Sequence, residues 1–249
     1  MKISVVMAYY NRKELLHRTL KSIAKTKHSD YEVIVVDDAS GDNHRVESFL
    51  TEFPFLKIVR IEKKDKWYYN SCIPFNKGFE SVTGDVVVIQ NPECLHVHDV
   101  LSYVAKEIND SNYITMSAYS IDEVLTNSIP DILKKGELLG FFSSLPQQSV
   151  LDHVGWYNHS IYRSVYYHFC AAITKKNLNI IGGFDNRYAG GAGWDDVDFV
   201  YEIDKLGLRK IINDEVSVIH QWHHPVYGVG GGDGKRYYNN ERILNEKWR

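Results

Sequence analysis

Two apolar segments decide the fold: KISVVMA at residues 2–8 and YEVIVV at residues 31–36. Both are short and rich in β-branched side chains, a pattern typical of strands that are buried on both faces of a parallel sheet. The chain between them predicts a helix, because Asn11 suits an N-cap, Glu14 follows at the third helical position, and apolar residues then recur at helical spacing. The N-terminal region is therefore expected to run strand, helix, strand.

The alternation of strands and helices continues along the chain. Further strands are predicted near residues 56–61, 85–89, 113–118, 166–174 and 215–219, and helices near 45–53, 71–82, 99–108, 176–181 and from 194. Such alternation favours an α/β domain whose mostly parallel central sheet is covered by helices on both faces. Ligands of such sheets bind beyond the carboxyl ends of the strands, where Asn11, Asp37, Asp38 and residues 90–93 are expected. Residues 121–163 lack the periodicity and are predicted to form an irregular insert that shapes a substrate pocket.

Composition narrows the class of protein. With 249 residues and 44% hydrophobic content, one large domain is favoured over two small ones. The net charge of -3 and the pI near 6.4 disfavour a nucleic-acid partner. The 3 cysteines form no CxxC pair, which argues against a structural zinc site or a disulfide framework and favours a reducing compartment. The sequence contains no signal-peptide pattern and no transmembrane segment, so the expected localisation is cytoplasmic.

Five motifs in order resemble glycosyltransferase family 2: SVVMAYYNR, EVIVVDDAS, NKGFESVTGDVVVIQNPE, GGFDNRYAGGAGWDDVDF and SVIHQWH. The last segments are also similar to galactosyltransferase and N-acetylgalactosaminyltransferase domains. The resemblance covers residues 1–224 and implies the GT-A fold, a Rossmann-like α/β domain. It divides that domain into a nucleotide-binding half at 1–118 and an acceptor-binding half at 119–224, and leaves a Gly-rich loop and C-terminal tail at 225–249.

The resemblance assigns a group of residues to the nucleotide-sugar donor. They are Ala8, Tyr10, Asn11, Arg12, Asp37, Asp38, Asn76, Lys77 and Asn91. Tyr10 is expected to stack near the base, and Asp38 to accept the imide N–H of uracil. The pair Asp37-Asp38 also suits a simpler role as a turn cap at the end of a strand.

The metal site departs from the family pattern. Where the family has an Asp-x-Asp pair that holds a divalent cation, this chain has Asn91-Pro92-Glu93. Glu93 is expected to be the principal ligand of Mn2+ or Mg2+, and His220, which ends the last predicted strand, the second ligand, with His223 as the next choice. The alternatives are a metal-free surface turn stiffened by Pro92 and a histidine that only packs.

The segment Trp194-Asp195-Asp196-Val197-Asp198 matches the family's acidic motif at a helix N-terminus. The resemblance implies that Asp195 or Asp196 is the catalytic base, with Asp196 preferred and Asp195 then binding acceptor hydroxyls, and that Asp198 is structural. Trp194 and Trp222 are expected to wall the acceptor pocket. Capping of the helix dipole by the carboxylates, and core packing of the tryptophans, are the alternatives.

The expected enzyme is thus a hexosyltransferase-like glycosyltransferase that moves a sugar, with inversion, from a UDP-sugar to a hydroxyl of a glycan, lipid-linked or protein acceptor. The glycines between Gly228 and Gly234 suggest a lid over the donor diphosphate, with a disordered tail as the alternative. They lack the Lys-Ser/Thr ending of a P-loop. Two other functions stay open: a catalytically weak nucleotide-sugar-binding protein on the same fold, and a sugar nucleotidyltransferase.

Overall fold

The computed structural model describes residues 1–224 and 234–249. The strands are β1 (Ile3–Tyr9), β2 (Tyr31–Asp38), β3 (Leu56–Ile61), β4 (Val86–Gln90), β5 (Cys94–His96), β6 (Asn112–Ser120), β7 (Gly155–Asn158), β8 (Cys170–Thr174) and β9 (Arg209–His220). The helices are α1 (Lys13–Ile23), α2 (Cys72–Phe79), α3 (Val100–Glu107), α4 (Glu123–Lys135), α5 (Leu138–Ser143), α6 (Lys175–Ile181), α7 (Asp195–Lys205) and α8 (Gly234–Lys247).

Within the described residues, one 9-stranded sheet runs in the order β3-β2-β1-β4-β8-β6-β9-β5, with β7 paired to β6. Strands β1 to β4 pair in parallel, as their apolar runs predict. Strand β8 runs antiparallel to both β4 and β6, whereas β6 and β9 are parallel. The α/β fold is confirmed, with a parallel N-terminal half and a mixed C-terminal half.

Neighbouring residues of the central strands pack on opposite faces of the sheet. Val5 and Val33 join the core beneath α1, and Val6 and Ile34 join the core beneath α2. Helix α2 approaches closely because Gly78 has no side chain: a Cβ there would lie 2.5 Å from Val6 Cγ1. Both faces are therefore buried, which explains the uninterrupted apolar runs.

The stretch at 121–163, predicted to be irregular, contains α4, α5 and β7. A third apolar cluster forms there around Ile129, Leu138 and Trp156. The helical pattern was hidden by Pro130, which lies inside α4 and is an unfavourable helix residue. The helix predicted at 45–53 is wrong, because only short 3-10 turns form at Asp42–His44 and Glu47–Leu50.

The C-terminal residues form a helix where the sequence suggested a tail. Leu244 of α8 is 5% exposed and packs into the same core as α2. Residues 225–233 lie outside the described residues, and with them most of the predicted lid between Gly228 and Gly234. Across the described part of the chain, every helix is too short or too polar to cross a bilayer.

Candidate functional site

A cleft of about 400 Å³ opens at the carboxyl ends of β1, β2 and β4. It is lined by Ala8, Tyr9, Tyr10, Arg12, Asp38, Lys66, Tyr69, Asn70, Ser71, Pro74, Phe75, Asn91, Pro92, Glu93, Gly193, Asp195, Asp196, His220 and His223. Residues from distant parts of the chain meet there because parallel strands end at one edge of the sheet. The cleft gathers Asp38, Glu93, Asp196 and His220, four of the residues singled out from the sequence.

One side of the cleft combines a carboxylate, an ammonium group and an aromatic ring. Both oxygens of Asp38 are engaged: Oδ2 accepts from Lys66 Nζ at 2.7 Å, and Oδ1 accepts from the Tyr68 hydroxyl at 2.6 Å. The Lys66 ammonium also lies 3.8 Å from the centre of the Tyr10 ring. Burial raises the pKa of the Asp38 carboxyl, although Lys66 and Tyr68 oppose that rise. This group can offer a ring face, an acceptor and a donor to a nucleobase.

Glu93 lies between two histidines and an arginine. Its Oε1 lies 3.2 Å from Nε2 of both His220 and His223, and its Oε2 accepts from Arg12 Nη1 at 2.9 Å. The pairing of β5 with β9 places Cys94 opposite His220, which brings the preceding Glu93 beside that ring. The side chain of Glu93 is 2% exposed, so its charge is held by these partners and not by water.

The electrostatics of this cluster favour a charged Glu93 and a neutral His220. Burial alone would raise the pKa of Glu93, but Arg12 and the two histidines outweigh burial and hold it well below the ordinary value. Burial lowers the pKa of His220 against the opposing pull of Glu93, which favours the neutral ring with a free lone pair.

The donor set fits a divalent metal ion. The ligand atoms of Glu93, His220 and His223 all lie within 4.8 Å of one another. One carboxylate and two imidazoles are suitable ligands for Mn2+, and within the described residues no other such group occurs. The predicted ligands Glu93 and His220 and the second choice, His223, lie together in this group.

Two carboxylates enter the cleft from the N-terminus of α7, where the helix dipole favours negative charge. Asp195 is 5% exposed, and its Oδ1 accepts from Asn70 Nδ2 at 2.7 Å. Asp196 is more open, with a side chain 33% exposed, and its Oδ1 lies 2.5 Å from His168 Nδ1. The two neighbouring acids therefore have different partners and different access to solvent.

Burial and the adjacent Asp196 raise the pKa of Asp195 to about 6, against the opposing pull of Asn70 and His168. Burial disfavours the charged form of His168, but the attraction of Asp196 outweighs it and raises the pKa of that ring. The site thus holds a carboxyl group that ionises at a higher pH than usual and an imidazole that stays protonated to a higher pH than usual.

Asp37 and Asn11 were both predicted to bind the nucleotide-sugar donor. They bond to other parts of the chain near the strand ends instead of lining the cleft. Asp37 is fully buried and pairs with Arg60 at 2.6 Å. Asn11 accepts from the Gly41 amide at 2.9 Å and lines a neighbouring pocket. Asp37 therefore fits the alternative role of strand-end anchor.

Asn76 and Lys77, also predicted for the donor, lie away from the cleft. The Asn76 side chain donates to the carbonyl oxygen of Phe184 at 2.7 Å and accepts from the Phe184 amide at 2.8 Å. Lys77 is exposed and pairs with Glu80 at 2.5 Å. In this structure they contribute to the packing and the surface of α2.

The two tryptophans predicted for the acceptor pocket also lie beside the cleft. Trp194 packs against Tyr237, with ring centres 5.2 Å apart and ring planes tilted by 48°, and borders the core. Trp222 lines the neighbouring pocket near His224. Neither tryptophan lines the cleft, whereas Gly193, Asp195 and His223, which are adjacent to them in the chain, do.

Four residues in or next to the cleft are not among those predicted from the sequence. Lys66 and Asn70 line the cleft, and Tyr68 and His168 contact the lining residues Asp38 and Asp196. The first three lie in KKDKWYYN at 63–70, a mixed basic and aromatic segment directly after a predicted strand, which is a signal of a binding loop. The sequence gives no signal for His168, because the predicted strand at 166–174 includes it, whereas β8 begins only at Cys170.

Comparison with known proteins places this chain in a family. The model of glycosyl transferase family 2 matches residues 4–168. The poly(ribitol-phosphate) beta-N-acetylglucosaminyltransferase TarP of Staphylococcus aureus is 32% identical over 144 residues, which cover 55% of this chain and 42% of that protein. Chondroitin synthase of Escherichia coli is 26% identical over 231 residues, 82% of this chain and 32% of that protein. The chain thus spans less than half the length of these curated relatives.

Solved structures share the fold. TarS of Staphylococcus aureus in complex with UDP-GlcNAc aligns with a TM-score of 0.65 at 16% identity, over 99% of this chain and 66% of that chain. The mannosyltransferase PcManGT of Pyrobaculum calidifontis, in complex with GDP-Man and Mn2+, aligns with a TM-score of 0.60 at 19% identity, over 91% of this chain and 58% of that chain. The family match extends over more than half of the residues and agrees with the GT-A architecture, so this chain belongs to glycosyl transferase family 2.

Proposed function

We propose that this chain is a glycosyltransferase that moves a sugar from a UDP-sugar to a hydroxyl acceptor with inversion at the anomeric carbon. The observation that carries the proposal is a single cleft in which a base-binding group, a metal-binding group and a pair of carboxylates face one another. A sugar attached to a nucleoside diphosphate has three matching parts: a base, a charged diphosphate and a reactive anomeric carbon.

The donor nucleotide is assigned to the side of the cleft that contains Tyr10, Asp38 and Lys66. The Tyr10 ring can stack on a base, and Asp38 can accept an N–H while Lys66 donates to a neighbouring carbonyl. Uracil presents such an N–H between two carbonyl groups, which supports a UDP-sugar. Complexes of structural neighbours with UDP-GlcNAc and with GDP-Man support a nucleotide-sugar donor in general.

A divalent cation, Mn2+ or Mg2+, is assigned to Glu93, His220 and His223. When bound, such an ion neutralises the charge that develops on the departing diphosphate. Arg12, which pairs with Glu93, adds a permanent positive charge at the same place. Together these residues orient the leaving group.

Asp196 is assigned as the general base. It is the more exposed of the two acids and can take the proton of an acceptor hydroxyl, whose oxygen then attacks the anomeric carbon from the face opposite the diphosphate. His168 orients the carboxylate through Asp196 Oδ1 and stabilises its charge. The buried Asp195 binds an acceptor hydroxyl of a glycan, a lipid-linked sugar or a protein.

A donor screen that measures nucleotide release tests the proposal. Turnover is expected with a UDP-sugar in Mn2+ and is expected to stop in EDTA. Asp196→Asn is expected to lower kcat by about 10²- to 10⁴-fold and to leave nucleotide affinity unchanged. The matched control is Asp204→Asn on the same helix, whose side chain is 49% exposed and pairs with Lys210. Full turnover in the Asp196 variant, or in EDTA, would contradict the assigned base or cation.

A further inference from the structure

The loop before the two cleft carboxylates has a bent backbone. Gly193 and Trp194 both lie in the left-handed region, with φ of 64° and 68°, and Asp195 follows as the first residue of α7. A residue with a side chain is strained in this region, so other contacts must hold Trp194 there. The direction of Asp195 and Asp196 therefore depends on what holds this loop.

Asn240 of α8 contacts both ends of the loop. Its side chain is 0% exposed. The Nδ2 atom donates to the carbonyl oxygen of Tyr188 at 3.0 Å and to that of Gly193 at 2.9 Å. One amide group thereby ties together the two sides of the bend, directly before the left-handed Trp194.

The fit between the amide and the loop is close. A Cβ at Gly191 would lie 2.0 Å from Asn240 Oδ1, so only glycine fits there without a shift. Within residues 1–224 and 234–249, that oxygen has no hydrogen-bond partner. Burial of an amide with one unsatisfied atom is unfavourable, so the two bonds from Nδ2 are the contribution that Asn240 makes.

Helix α8 also contacts α7 and the residue before it, on both sides of Asn240. The Tyr237 ring lies 5.2 Å from the Trp194 ring, centre to centre. Near the other end of α8, Lys247 pairs with Asp198 at 2.9 Å, and Trp248 Nε1 donates to the same carboxylate at 2.7 Å. The helix is therefore a fixed support from which Asn240 can hold the loop.

We propose that Asn240 is a positioning residue for the transferase reaction. By holding the carbonyl groups of Tyr188 and Gly193, it fixes the bend that aims Asp195 and Asp196 into the cleft. It acts through the loop and touches no reacting atom. The inference rests on the proposed function, because it assigns Asn240 to the same site.

Kinetics of Asn240→Ala and of its exposed neighbour Asn239→Ala test this role in the full chain. Asn240→Ala is expected to lower kcat by about 10- to 100-fold, because a displacement of roughly 1 Å in a reacting group has that effect. The donor KM is expected to stay within about twofold, because the Asn240 side chain donates to Tyr188 and Gly193 and not to Tyr10, Asp38 or Lys66, which are assigned to the nucleotide. Asn239→Ala is expected to match the wild type. Unchanged kcat in Asn240→Ala, or an equal loss in both variants, overturns the proposal.

A double-mutant cycle with Gly191→Ala separates positioning from general damage. Gly191→Ala alone is expected to lower kcat, because its Cβ meets Asn240 Oδ1. In Gly191→Ala/Asn240→Ala the obstacle is gone, so the loss is expected to be no larger than that of Asn240→Ala. Losses that multiply would show that the two residues act independently. If Asn240→Ala fails to fold, Asn240→Ser, which keeps one donor, takes its place in the cycle, with an intermediate kcat expected.

Hydrogen exchange separates failure of this inference from failure of the proposed function. Wild-type protein that turns over no nucleotide sugar would contradict the function and leave the loop question to exchange alone. Amides at 188–196 are expected to exchange faster in Asn240→Ala than in the wild type, while β1 and β2 stay protected. Equal exchange in the loop would contradict the role of Asn240 with or without an assay of turnover.

Discussion

Asp195 is a buried carboxyl group whose charged form is disfavoured in the folded chain. Its pKa is raised to about 6 by burial and by Asp196. A carboxyl with a raised folded-state pKa favours the protonated form, so its ionisation lowers stability as the pH rises from the unfolded value towards 6. The ionised side chain of Asp195 therefore lowers the stability of the fold.

Asp195→Asn is expected to stabilise the protein at neutral pH. The amide oxygen can still accept from Asn70, and the variant carries no charge to desolvate. The free energy of unfolding is expected to rise by about 2–3 kcal/mol at pH 7.5, and the gain is expected to vanish near pH 4. Thermal unfolding of both proteins at the two pH values measures this. A variant less stable than the wild type at pH 7.5 would contradict the pKa assignment.

His168 is expected to affect turnover through the direction and charge of Asp196. His168→Leu keeps an apolar body between Phe75 and Phe184 and removes the bond to Asp196. It is expected to lower kcat by about tenfold or more, with donor KM unchanged, and His168→Gln, which keeps a donor, is expected to lose less. Equal kcat in the two variants would show that the hydrogen bond has no role.

At the scale of elements, the position of α2 depends on one glycine. Gly78→Ala is expected to destabilise the fold by about 1–3 kcal/mol, because its Cβ would lie 2.5 Å from Val6 and 2.9 Å from Val36. The matched control is Gly140→Ala in α5, where nothing lies within 4 Å of the added carbon. That change is expected to be neutral or to stabilise slightly. Chemical denaturation of both variants gives the comparison, and equal stabilities would contradict the close packing.

The sequence predicts an element well where its surroundings allow only one kind of residue. Strands β1 and β2 are buried on both faces, so their residues must be apolar and β-branched, and the pattern is plain. Helix α4 contains Pro130, and α8 has a mostly polar surface with few buried residues, so tertiary contacts decide both. Local pattern is weak evidence wherever packing with a distant segment decides the structure.

At the scale of the whole molecule, nucleotide and cation are expected to stabilise the fold together. Their proposed sites are adjacent, and a ligand stabilises the folded state when it binds the folded chain in preference to the unfolded chain. At 100 times Kd, UDP with Mn2+ is expected to add about 2.7 kcal/mol, which is roughly 5–10 °C in Tm for a chain of this size. EDTA is expected to remove most of the gain. An equal shift for UDP with Mn2+ in wild type and in Glu93→Gln would contradict cooperation between the two sites.

The candidate site was predictable where it follows from strand order. Asp38, Glu93 and His220 all end or adjoin strands of one sheet, so topology alone brings them to the same edge. His168 and Asn240 act at the site through segments that have no local sequence signature, and the basic and aromatic segment that contains Asn70 does not reveal which carboxylate Asn70 contacts. Their contacts bridge long stretches of chain, and only the folded structure reveals them.

The ends of the sheet have a consequence for how copies of this chain meet one another. An uncovered outer strand offers unpaired amide and carbonyl groups on which a foreign strand can grow. Here one outermost strand, β5, has only 3 residues, and the other, β3, carries the exposed Lys57 and the half-buried Arg60. Among the described residues, these two outer strands therefore disfavour edge-to-edge pairing between molecules, one because it is short and the other because it is charged.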